Sequence, residues 1–119
     1  MNSLETAKAA AKAADSKKAA NIKVIQVENV TTIADYFVIA TGFSSTQVRA
    51  IADEVEFQLK EAGETVSHIE GHKNDTWILL DYVDVIVHVF SEEAREYYDL
   101  DKLWADGQPI DISDIITQN

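Results

Sequence analysis

The sequence predicts an α/β fold, a mixed five-stranded sheet flanked by helices, and three observations carry that prediction. Residues 36–41 (YFVIAT) hold no charge and read as a strand buried on both faces. Val48, Ile51, Ala52, Val55, Leu59 and Ala62 recur at the offsets of one helix face, with Arg49, Asp53, Glu56 and Lys60 on the others. Further on, residues 65–69, 76–82 and 84–90 are three more β signals, so helical and extended segments alternate along the chain.

Taken in order, residues 3–20 are rich in Ala and Lys, a composition of high helix propensity. Leu4, Ala7, Ala11 and Ala14 make only a thin apolar stripe, so a helix that buries little and frays is expected, closed by Asn21. Residues 22–28 (IKVIQVE) are β-branched and read as a strand that returns through residues 29–34 to the central one, as an antiparallel hairpin. Gly42 breaks the central strand. Ser44 then caps the helix over 45–62, Gln47 completes a capping box that satisfies two orphan N–H groups, and Gly63 supplies the stop.

The strands over 76–82 and 84–90 nearly touch, which predicts a tight hairpin around Tyr82-Val83-Asp84. Alternation places Trp77, Leu79 and Asp81 on one face and Ile78, Leu80 and Tyr82 on the other. In the next strand Val85, Val87 and Val89 lie opposite Ile86, His88 and Phe90. Ser91 caps a short helix whose first turn holds Glu92 and Glu93, favourable with the helix dipole. A further turn contains Leu100, Leu103 and Trp104. The domain is read as 1–105, with 106–119 a C-terminal tail whose polar composition favours mobility and whose isoleucines at 110, 112, 115 and 116 can dock back.

A chain of 119 residues with 46% hydrophobic content forms one domain with its own core. It has no cysteine, so disulfides and thiolate metal sites are excluded. No apolar run approaches the roughly 20 residues of a membrane span. Lys8, Lys12, Asp15, Lys17 and Lys18 interrupt the N-terminal alanines, so neither a secretory h-region nor an Arg-rich presequence is read there, and a cytoplasmic location is expected. The net charge of −11 is uneven: +2 over residues 1–21, −7 over the middle and −6 over 92–119. Such a surface repels phosphate backbones and attracts a basic protein, which disfavours direct sequence-specific nucleic-acid binding; solubility alone also accounts for it.

The turn Gly42-Phe43-Ser44-Ser45 before a helix suits an anion, but capping explains it better. Two-metal chemistry needs carboxylates that converge on ions about 4 Å apart. The acids at a suitable distance, Asp53 and Glu54, are adjacent and helical instead. His68, Glu70 and His72 share a strand face by period two, yet Gly71 signals a turn, and isolated imidazoles are more often surface groups than metal ligands. His88 reads as a partly buried polar residue facing a partner or a carboxylate. Asp81 and Asp84 flank a turn whose chemistry accounts for them. Trp77 and Tyr98 read equally as interface anchors or as core, whereas Leu103 and Trp104 favour core closure. No catalytic, cofactor or metal site is expected from the residues.

The segments Asp35-Tyr36-Phe37-Val38-Ile39-Ala40-Thr41-Gly42, Ser44-Ser45-Thr46-Gln47-Val48-Arg49, Glu70-Gly71, Trp77, Leu80-Asp81-Tyr82, Asp84-Val85, Val87-His88-Val89-Phe90, Tyr98-Asp99-Leu100 and Leu103-Trp104 resemble, in combination, the ribosomal silencing factors, the RsfS or Iojap family. The resemblance runs from about residue 4 to about residue 105, with Phe43 and Val83 standing where small residues are more usual. It implies a nucleotidyltransferase-like fold lacking the catalytic carboxylates, no enzymatic activity, a homodimer when free, and binding to the large ribosomal subunit through its ribosomal protein fourteen. Bound there, such a factor would sterically block joining of the small subunit and so repress translation. A degenerate nucleotidyltransferase-like or metal-dependent enzyme is the alternative. On this pattern the expected partner-binding residues are Trp77 and Leu79 as apolar anchors and Glu70, Lys73, Asp81, Arg95 and Tyr98 as a polar rim.

Overall fold

The computed structural model describes residues 1–71, 76–103 and 105–116. The elements run α1 (Ser3–Ser16), β1 (Ala20–Gln26), β2 (Tyr36–Gly42), α2 (Ser45–Glu61), β3 (His68–Glu70), β4 (Trp77–Asp81), β5 (Val85–Ser91), α3 (Glu92–Tyr98), α4 (Leu100–Leu103) and β6 (Gln108–Ile110). The strands form one mixed sheet in the order β3-β4-β5-β2-β1-β6. Among the described strands β2 and β5 pair in parallel and the other neighbours are antiparallel. The uncharged run over 36–41 is buried throughout because β2 sits inside the sheet, between β5 and β1, with residues packed on both faces.

The sheet has six strands, not the five expected. The extra one, β6, pairs Gln108–Ile110 with Val24–Gln26 at the edge of β1. It is only three residues long and carries Pro109, which has no N–H to donate and is tolerated at an edge. A sequence pattern needs about four to eight alternating residues to announce a strand, so this one was invisible. Beyond it Ile112 is buried, and Ile110, Ile115 and Ile116 pack partly against the core.

The first helix corrects a second expectation. Ala7, Ala10, Ala11, Ala13 and Ala14 of α1 are fully buried against α2 and the sheet. Methyl side chains allow close approach and lose no rotamer freedom on burial, so a stripe that looks thin in sequence becomes a tightly packed face. The helix start is fixed by a capping box: the Asn2 side chain accepts from the Glu5 N–H, and Glu5 accepts from the Asn2 N–H. It ends at Ser16 rather than near residue 20; Lys18 (φ 60°) turns the chain toward β1, and Asn21 (φ 50°), also in the left-handed region, sits at an irregularity within β1.

Gln47 also differs from its expected role. Ser44 Oγ accepts the Gln47 N–H (3.1 Å), as a cap should. The Gln47 carbonyl oxygen, however, accepts from Phe43 N–H (2.6 Å), one residue before the cap, and its amide nitrogen donates to the carbonyls of Lys17 and Lys18 (3.2 and 3.1 Å). One side chain therefore ties the start of α2 to the end of α1, and satisfies orphan groups of both.

Candidate docking face

Helices α1 and α2 cover one face of the sheet, where Val38, Ala40, Val87, Val89, Ile78 and Leu80 join the larger core cluster. The opposite face carries Ile25, Phe37, Ile39, Ile86, His88 and Phe90, and is covered by the shorter α3 and α4 through Ala94 and Leu100. Toward β4 and β3 that cover thins. Strand alternation presents Trp77, Leu79 and Asp81 there, each half-buried, as the sequence pattern anticipated. The register sets Glu70 opposite Leu79 and His68 opposite Asp81, so all five share a face.

Trp77 is held from two sides. Its ring centroid lies 5.0 Å from Phe90 and 4.5 Å from Tyr98, an arrangement in which tilted aromatic pairs attract. Its indole N–H donates to His88 Nδ1 at 3.1 Å. That bond requires Nδ1 to be an acceptor, so the neutral ring carries its proton on Nε2. Burial pushes the His88 pKa down to about 4, which keeps the imidazole neutral. Among the described residues His88 meets an indole N–H rather than the carboxylate that was one of its expected neighbours. It is 4% exposed among Phe37, Trp77 and Phe90, and its Nε2 has no hydrogen-bond partner among the described residues. Sequence reasoning missed this role because a histidine inside a valine-rich strand looks alike whether it serves a ligand or its neighbour.

Glu70, Gly71, Thr76, Trp77, Leu79 and Tyr98 line a shallow depression of about 260 Å³. Gly71 (φ +80°) is required there, since a Cβ would lie 1.9 Å from the Trp77 carbonyl oxygen. Four of the seven residues expected to contact a partner thus come together. Asp81 stands beside them, its Oδ1 accepting the Val83 N–H at 2.7 Å in an Asx-type turn. Lys73, like His72 and Trp104, lies outside the described residues.

Arg95 does not join the rim. It is 9% exposed, donates to Thr41 Oγ1 (2.8 Å) and Asp101 Oδ2 (3.2 Å), and helps fasten α3 and α4 onto the sheet. Burial acts to raise the Asp101 pKa, but Arg95 and Lys23 beside it bring it below its usual value. Helical spacing told the sequence reading only that α3 has an inner and an outer side, not which one Arg95 occupies.

Exposed His68 Nε2 lies 3.7 Å from Glu70 Oε1, and among the described residues no group of three potential metal ligands is gathered. Asp53 and Glu54 lie mid-helix on α2, and Glu54 is engaged by Gln58 at 2.6 Å. Among the described residues, no helix is long and apolar enough to cross a membrane.

The model of the family described as "Ribosomal silencing factor during starvation" matches residues 1–119. The chain belongs to the ribosomal silencing factor (RsfS) family. It is 43% identical over 112 residues to the ribosomal silencing factor RsfS of Bacillus subtilis, covering 94% of this chain and 95% of that one. A solved structure of a Chromobacterium violaceum protein superposes with a TM-score of 0.86 at 36% identity, over 95% of this chain and 93% of that chain. The mouse protein named "Mitochondrial assembly of ribosomal large subunit protein 1" is 34% identical over 91 residues, which span 74% of this chain and 40% of the mouse protein.

Proposed function

We propose that this RsfS protein binds the large ribosomal subunit through ribosomal protein fourteen and blocks small-subunit joining by occupying the surface between them. The carrying observation is Trp77, half-exposed on a sheet face yet fixed by His88, Phe90 and Tyr98. A rigid aromatic that loses little freedom on docking is the kind of anchor that dominates interface energy. Leu79 adds apolar area, and Glu70, Asp81 and Tyr98 form the rim. Lys73 keeps its place in the rim by sequence position alone.

Charge supports the same reading. A chain of net charge −11 approaches an RNA-rich particle most favourably through a basic protein. The names of the relatives point to the ribosome, and that of the mouse relative to the large subunit. In this reading the sheet is a nucleotidyltransferase-like frame without catalytic carboxylates, and the protein is cytoplasmic, homodimeric when free, and turns over no substrate.

A subunit-joining assay with wild type and Trp77→Ala tests the proposal. The variant should retain a cooperative melt but lose inhibition of joining. Inhibition equal to wild type would remove Trp77 from the contact.

A further inference from the structure

The tight connection between β4 and β5 sets a β-branched residue in a backbone conformation that suits glycine or asparagine. Val83 has φ +75°, and the Asp84 N–H donates back to the Tyr82 carbonyl at 3.0 Å across that one residue. This is a γ-turn of the positive-φ kind, rare for any residue and most unfavourable for a β-branched one. Glycine or asparagine adopts such a backbone at little cost. The Val83 side chain gains no core in return, being 62% exposed.

It does not stand alone. The Asp35 and Tyr36 N–H groups donate to the Asp84 carbonyl (2.8 and 3.1 Å), which stitches the β1–β2 loop to this turn. That loop carries Ile33, 59% exposed, and Val30, 38% exposed. Three exposed β-branched side chains thus collect at the end of the sheet where β2 and β5 begin. Glu28, Asp35, Asp81 and Asp84 accompany them, while residues 24–48 and 76–94 contain no Lys or Arg. Asp81 belongs both to this tip and to the face that bears Trp77 and Leu79.

We infer that the docking face turns the corner at Asp81 and continues over Val83 and Ile33, which a basic protein surface covers. This deepens the proposed function and rests on it. Charge complementarity selects a cationic protein over nucleic acid, and continuity through Asp81 makes it the same partner that covers Trp77. Strain retained at an exposed apolar residue fits a contact surface, where backbone outliers concentrate.

Isolated large ribosomal subunits are the probe, with binding kinetics and thermal melting as readouts. Val83→Gly relieves the strain and deletes the contact, so its Tm should hold or rise by a few degrees while dissociation quickens roughly tenfold. Ile33→Ser should quicken dissociation without lowering Tm, and Asp84→Lys should slow association at low salt. Wild-type affinity in both Val83→Gly and Ile33→Ser would overturn the inference. Faster association of Asp84→Lys would do so too, because it would place phosphates opposite the tip. The two readings separate through Trp77→Ala: weakened binding there, with Val83→Gly unaffected, sinks the tip alone. The reverse result upholds the tip and removes the Trp77 face.

Discussion

One face of the sheet lies under α1 and α2, of 14 and 17 residues; the other lies under α3 and α4, of seven and four. The first is closed mostly by Ala, Val, Ile and Leu, and close approach is its device. The second relies on aromatic rings, a buried histidine and the Arg95–Thr41–Asp101 bonds, and still leaves Trp77 and Leu79 half-buried. The deeper burial on the first side supplies stability. Incomplete burial on the other leaves half-buried side chains, which the proposed function uses for docking.

Leu79 and Leu80 break this comparison most directly, being neighbours that point to opposite faces. Leu80 is 1% exposed under the long helices, and Leu80→Ala should cost about 2–5 kcal/mol in urea unfolding. The folded fraction of that variant should keep its affinity for large subunits.

His88 should make the open face acid-sensitive. Its folded pKa, about 4, lies below the usual 6.5, so the unfolded chain takes the proton first as pH falls. Its contribution is therefore intact above pH 6.5 and lost progressively toward pH 4, by roughly 3 kcal/mol in all. Denaturation of wild type and His88→Phe across this range checks the sign: the variant should lack that part of the slope.

A smaller effect is expected at the open face itself. Leu79→Ala should leave the melt nearly unchanged and weaken subunit binding by about 1–2 kcal/mol, read in the dissociation rate. Smallest of all, Gln47→Ala should lose about 1 kcal/mol of stability, because it unties α1 from α2 while leaving the docking face alone. A Gln47→Ala protein that bound subunits poorly would mean the two faces are coupled, contrary to the contrast drawn between them.

Much of the framework was legible before folding. The uncharged run over 36–41 could only be interior, and period-two alternation sorted Trp77 and Leu79 from Ile78 and Leu80 correctly. That sorting placed Trp77 and Leu79 together at the depression. Arg95 was misassigned to the rim because a long cationic side chain is usually solvated. Only the packing of α3 and α4 shows that Thr41 and Asp101 await it inside. The strain at Val83 was equally hidden, since a turn can be read from residue types but its φ cannot.

What the sequence by itself determined is the arrangement of local periods: which segments extend, which coil, and which side of each strand is apolar. These depend on backbone geometry repeated every two or 3.6 residues. The tertiary structure decided what no period encodes. It made a three-residue stretch with a proline the sixth strand, buried an alanine stripe completely, and turned His88 into the acceptor that holds Trp77. Each of those outcomes depends on a neighbour distant along the chain, and burial and hydrogen bonding are properties of pairs rather than of single residues.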